Sequence, residues 1–310
     1  MNQKISELIN FKKLLPYIIA IVGFLIIISI YFSPVVSNLL TTSNNKMVIA
    51  QHDVMQAGGA QKEIHDYLAS SGELTLWTNS MFGGMPTYQI WIDYPMNLIK
   101  YFIPYLKLRL PNPLDLIFLY FIGFYIMLLV LRVNPWLALI GGVAYAFSSN
   151  NFIIIEAGHL NKALAIGIMP LVVAGVFLVL RKKYFWGFVF TAIALSLELI
   201  ANHFQITYYL AMMLVLLMIV EFIFAIKNKT IADFSKIVGV LILAVIFAVA
   251  VNITNLWVTN DYTKVTMRGG SELAYKKDAA GEGGLEKSYA LSWSYGQLET
   301  FTLLVPGFSG

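Results

Sequence analysis

Residues 14–32 read LLPYIIAIVGFLIIISIYF, a run without a charged side chain. A bilayer hydrocarbon core of about 30 Å takes roughly 20 residues of helix at 1.5 Å each. The run follows Lys12 and Lys13 and ends in Tyr31-Phe32-Ser33-Pro34. A cleaved signal peptide has a shorter apolar core and a small-residue cleavage site. No Ala-x-Ala follows here, so the segment reads as a retained span.

The whole chain has the same character. Of its 310 residues 58% are hydrophobic and only 12% charged, with a mean hydropathy of +0.72. Soluble domains carry about 25% charged residues, so this chain cannot cover a water-soluble globule of its size. Disorder needs low hydrophobicity and high charge and is excluded by the same numbers. The absence of cysteine removes disulfides, thiol catalysis, zinc ribbons and iron–sulfur clusters.

Working outward, further spans read as Leu114–Leu131, Pro135–Ile155, Leu160–Leu180, Tyr184–Ala201, Phe204–Ile226 and Ile237–Leu256. The fold class is therefore an all-α polytopic membrane protein of about seven transmembrane helices. A large first extracytoplasmic loop covers about residues 33–113, and a polar tail covers 257–310. The tail is Gly-rich and stops without a terminal element, so the chain is expected to be the front part of a longer polypeptide.

Orientation follows from basic residues in short loops. With the N-terminus inside, the cytoplasmic pieces hold Lys4, Lys12, Lys13, Arg132, Arg181, Lys182, Lys183, Lys227, Lys229 and Lys236. Against them stand only Glu7, Glu221 and Asp233. The net charge of +4 is thus a matter of membrane orientation, and no nucleic-acid partner is implied. In the outer loop a helix is expected near Val54–Ala69, then a Gly/Pro elbow at Phe82-Gly83-Gly84-Met85-Pro86, then interfacial segments within Ile90–Leu110.

All four histidines, His52, His65, His159 and His203, fall on the outer side. Asp53, within Gln51-His52-Asp53-Val54, fits two roles: the N-cap of the loop helix, or a carboxylate acting as general base or metal ligand. The hairpin Glu156-Ala157-Gly158-His159-Leu160-Asn161-Lys162 is either an ordinary hydrated turn or a phosphate site built on Lys162 and His159. Glu198, Asn202, His203 and Gln205 form a third cluster, with Glu198 and Asn202 on one helical face. Glu198 either joins a protein network or snorkels to the nearby surface.

A divalent cation on Asp53, Glu156, His159 and His203 is open, since no HExxH or paired-histidine spacing selects one. No Walker A or Rossmann fingerprint exists, so no nucleotide cofactor is expected. Most aromatics flanking the spans read as interfacial belts. Trp77, running through Thr78-Asn79 toward the Gly-Gly-Met-Pro elbow, is the candidate sugar-stacking platform.

The order of features resembles the bacterial YfhO-like membrane proteins, within the class of integral-membrane glycosyltransferases of the GT-C fold. The residues that carry it are the early loop aspartate, the Trp77-x-x-x-x-Phe82-Gly83-Gly84-Met85-Pro86 elbow, Tyr145-Ala146-Phe147-Ser148 and Gly158-His159. The resemblance covers nearly the whole chain, as the N-terminal part of longer proteins, and makes residues 1–256 a GT-C-like transmembrane module. It implies transfer of a sugar from a polyprenyl-phosphate carrier to a cell-envelope polymer or glycan acceptor, at the outer face of the bacterial cytoplasmic membrane. Asp53 matches the class's catalytic loop carboxylate, although His52 stands where many members have a second acid. From their place on the outer side, and not from the resemblance, His52, Trp77, Glu156, His159, Lys162, Glu198 and His203 are the expected substrate contacts. A transporter or lipid flippase, and an envelope-assembly scaffold, are the alternatives.

Overall fold

The computed structural model describes residues 11–40, 52–91, 94, 96–266, 287–292, 294, 296–303 and 308. Lys4 and Glu7, the loop residues 41–51 and much of the tail lie outside the described residues. The chain divides into one unit ending at Asn252 and a second beginning at Ile253.

The first unit is helical almost throughout. Its helices are α1 (Phe11–Tyr31), α2 (Ser33–Leu40), α3 (His52–Ser71), α4 (Phe102–Leu106), α5 (Leu114–Val130) and α6 (Pro135–Ala146). They continue as α7 (Ser149–Glu156), α8 (Leu160–Leu180), α9 (Tyr184–Ile200), α10 (Phe204–Lys227) and α11 (Ile231–Val251). Two short strands, β1 (Trp77–Thr78) and β2 (Met85–Pro86), pair antiparallel with Trp77 opposite Pro86. The second unit contains α12 (Ile253–Thr263), α13 (Lys287–Leu291) and a 3-10 turn at Glu299–Leu303.

Four helices, α1, α8, α10 and α11, are long and apolar enough to cross a membrane, and α6 with α7 makes a fifth if that pair is one span. Helices α5 and α9 have 17 residues each, which is about 25 Å of helix. The expected continuous span over 135–155 is broken, with a bend of 42° between α6 and α7. The cause is local: Asn151 Nδ2 donates to the Tyr145 carbonyl at 2.7 Å, and Ser148 takes an extended conformation ahead of α7. The last expected span also shifts. It begins at Ile231 and stops at Val251 because Asn252 Nδ2 donates back to Ala248 O and across to Ser196 O.

Helix α8 lies at the centre. Its span is 67% buried, against 11% for α10 and 17% for both α1 and α11, so the last three present their apolar faces outward. Helix α9 packs along α8 and α11, and α5 packs along α6 and α8. Small residues permit this closeness: a Cβ on Gly123 would stand 2.5 Å from Gly167 O, and one on Gly175 would stand 2.4 Å from Thr191 Oγ1. Helix α1 joins through Phe24, whose ring stacks on Phe121 at 3.9 Å. The segment expected to be interfacial folds as a 3-10 turn (Leu98–Tyr101) running into α4, and Ile99, Ile103 and Leu106 pack against the core of α5, α8 and α9.

Helix α3 is joined to the elbow by Glu63. Its carboxylate accepts the Thr78 hydroxyl, Asn79 N–H and Ser80 N–H. Those donors, Thr78 first, hold the Glu63 carboxyl below its ordinary pKa.

Candidate functional site

The helix hairpins close with one recurring turn. A helix ends, one residue follows, and the next adopts the left-handed conformation: Arg132 (φ 64°), Gly158 (φ 85°), Lys182 (φ 61°), Asn202 (φ 53°) and Lys229 (φ 57°). At Gly158 the hydrogen bonds are His159 N to Ile154 O (3.1 Å) and Gly158 N to Ile155 O (3.0 Å), the Schellman pattern. Short connections make neighbouring helices antiparallel, so Arg132, Lys182 and Lys229 share one end of the bundle. Gly158 and Asn202 share the other. There both turns spell Ala-x-His, in Ala157-Gly158-His159-Leu160-Asn161 and Ala201-Asn202-His203-Phe204-Gln205. Each histidine immediately precedes its helix, α8 or α10, and neither helix start has a side-chain cap.

Helix α3 reaches this end with Asp53 in its first turn, inside the helix rather than capping it from outside. Asp53 Oδ2 lies 2.8 Å from His159 Nε2, and the two side chains are 49% and 48% exposed. Together they border a groove of about 650 Å³, which Ala57, Gln61, Lys162 and His203 also line. Three helix N-termini therefore open on one concavity, and a helix N-terminus carries partial positive charge. The first turns of α8 and α10 contain no acid. Lys162 adds a full charge, so the groove suits an anion beside a single carboxylate.

His203 is the more enclosed imidazole. Its Nδ1 is buried and has no partner among the described residues. Burial, joined by the charges of Lys162 and His159 and opposed by a backbone hydrogen bond, pushes its pKa below the ordinary histidine value. Behind it, Glu198 is fully buried in α9, which rules out snorkelling. Glu198 Oε1 accepts from Thr207 Oγ1 at 3.3 Å, while Oε2 has no partner among the described residues. Thr207 N in turn donates to His203 O.

The structure thus brings together Asp53, His159, Lys162 and His203, with Glu198 behind them. It does not bring the other candidates into the groove lining. His52 is exposed at the start of α3, and Glu156 is exposed at the end of α7. Trp77 stands on β1 with its Nε1 donating to Asn79 Oδ1 at 3.2 Å. Asn202 is exposed, and Gln205 Nε2 donates to Tyr209 Oη. Among the described residues no three His, Asp or Glu side chains are grouped to hold a metal ion.

Three features escaped the sequence reading. Asp53, Ala57 and Gln61 stand at i, i+4 and i+8, so one face of α3 walls the groove. Gln61 Nε2 also donates to Ile90 O at 3.3 Å, and Ile90 lines the same groove. The doubled Ala-x-His turn was visible as a repeat without a fixed period. The third feature, the ion pair of Lys107 with Asp115 at 2.5 Å, ties the end of α4 to the first turn of α5 and left no motif. No family model, no curated protein and no solved structure matches this chain.

Proposed function

We propose that this chain is the GT-C-like part of a membrane glycosyltransferase. It moves a sugar from a polyprenyl-phosphate carrier to an envelope acceptor at the outer face of the bacterial cytoplasmic membrane. Seven spans are α1, α5, the bent pair α6–α7, α8, α9, α10 and α11, with Arg132, Lys182 and Lys229 at the cytoplasmic end. The observation that carries the reading is the Asp53–His159 contact in a groove shared with Lys162 and His203.

Asp53 accepts the proton of the acceptor hydroxyl as its oxygen bonds to the sugar's anomeric carbon. The bond from that carbon to the carrier phosphate breaks, and the electron pair leaves with the phosphate. Nε2–H of His159 donates to Asp53 and holds the carboxylate in place. Lys162 and the N-termini of α8 and α10 stabilise the departing phosphate where its charge develops. An apolar groove of about 450 Å³ between α5, α8 and α9, bounded by Phe102 and Leu106 of α4, supports a place for the carrier's hydrocarbon chain.

A second reading, a transporter or flippase, draws on Glu198, since buried acids in spans often serve ion or substrate paths. The test is incubation of the purified full-length protein, in proteoliposomes, with radiolabelled polyprenyl-phosphate sugars, with and without acceptor and chelator. Acceptor-dependent label transfer is expected. Carrier movement without any transfer would favour the second reading.

A further inference from the structure

From Leu74 to Trp91 the outer loop carries no charged side chain, although it belongs to none of the apolar helices. This run contains the β1–β2 hairpin, and two of its hydroxyl residues, Thr78 and Thr87, are buried. Glu63 takes the Thr78 hydroxyl and the N–H groups of Asn79 and Ser80. Thr87 Oγ1 donates to Thr75 O at 2.7 Å, and Thr87 N to Leu76 O at 3.1 Å. Outward it shows Leu76, 65% exposed, Trp77, 54%, and Phe82, 88%.

The exposure is built in. The Trp77 indole lies against Gly84, where a Cβ would stand 2.8 Å from Cζ2. Phe82 sits at φ 52°, a left-handed conformation that an aromatic residue rarely adopts. A strained backbone that holds a phenyl ring in water stabilises nothing, whereas the same ring in an apolar phase is favourable.

We infer that the β1–β2 hairpin is a lipid-docking finger, seated through Leu76, Trp77 and Phe82 at the headgroup–acyl boundary of the membrane surface from which the loop emerges. Lipid is the occupant because the run is uncharged, which suits no ionic partner, and because a second stretch of the same loop has interfacial chemistry. That stretch exposes Met96, Leu98, Tyr101, Phe102 and Tyr105 and carries Lys100, Lys107 and Arg109, the aromatic and basic mixture of a membrane interface. Glu63 transmits the anchorage to α3, whose first turn carries Asp53. The inference rests on the membrane reading of the apolar helices and is independent of sugar transfer.

The chain has no cysteine, so single cysteines can be placed and labelled with an environment-sensitive thiol dye. Leu76→Cys keeps Phe82 native, Phe82→Cys reads the tip, Asp66→Cys is a water-facing reference, and Leu216→Cys on α10 reports bilayer insertion. The labelled full chains are reconstituted in phosphatidylcholine–phosphatidylglycerol vesicles with and without brominated lipid. Dye at 76 is expected to emit blue-shifted light, lose most of its intensity to brominated lipid and resist aqueous iodide, unlike dye at 66. Dye at 82 is expected to behave like dye at 76. Iodide quenching at 76 equal to that at 66, with no effect of brominated lipid while 216 is quenched by it, overturns the docking finger; that is also what a protein or glycan occupant predicts. If 216 itself escapes brominated lipid, the membrane reading fails and the inference falls with it.

Discussion

Asp53 in the first turn of α3 and His159 just before α8, far apart in the chain, meet at 2.8 Å where three helix N-termini open on one groove. Both side chains are about half exposed, and such pairs contribute only about 0–1 kcal/mol to stability. The contact is too weak to be what holds α3 to the bundle. Its consequence is orientation: the carboxylate is fixed beside Lys162 and His203.

His159→Ala is therefore expected to lower turnover by roughly tenfold to a hundredfold, the effect of a misplaced catalytic group, while thermal stability changes little. Combined with Asp53→Asn it should cost nothing further, because both act through one contact. Turnover of the two single variants and the double variant, beside their melting temperatures, checks this. Additive losses would separate the residues.

Lys162→Met should lower kcat/KM for the phosphate-linked donor by about 10–100-fold, as expected for losing a hydrogen bond to a charged group worth about 1.5–3 kcal/mol. Lys162→Arg should recover part of it. Steady-state kinetics with varied donor is the measurement. An unchanged kcat/KM would remove Lys162 from the phosphate site.

Gly158→Ala forces a side chain into φ 85°. The expected loss is about 1–2 kcal/mol of stability, with His159 displaced and turnover reduced further than stability explains. Thermal unfolding and turnover on the same preparation report both effects.

The pH dependence follows from His203. Its folded pKa is lowered, so the unfolded chain binds the proton first, and stability is lost as pH falls below about 6.5. The loss levels off once pH is below the folded value. His203→Gln should flatten the melting-temperature profile between pH 7 and 5 relative to the native protein; an unchanged profile would assign the dependence elsewhere.

Much of this was legible in the residues. Apolar runs located α1, α8, α10 and α11, and the crowding of His159 and Lys162 on a hairpin marked the groove's floor. What stayed hidden depended on contacts between distant segments. Pro135–Ile155 is apolar throughout its first half, and nothing there announces that Asn151 will bond back to Tyr145 O and break the helix. The stop at Asn252 is reinforced by Asn97, just before the 3-10 turn that leads into α4, whose Nδ2 donates to Asn252 Oδ1. Trp77 lies outside the groove lining, on a hairpin tied to α3 through Glu63, a placement that its spacing from the elbow does not encode. Glu198 was ambiguous because spacing shows a face, and burial depends on which helix covers it.

The central claim is that Asp53 takes the acceptor's proton. The most direct measurement is turnover of full-length Asp53→Asn with a polyprenyl-phosphate sugar and acceptor, beside membrane insertion and melting temperature. Insertion and melting are expected to match the native protein, with turnover down by about 10²–10⁴-fold. Turnover near the native rate in a folded, inserted Asp53→Asn protein would contradict the account.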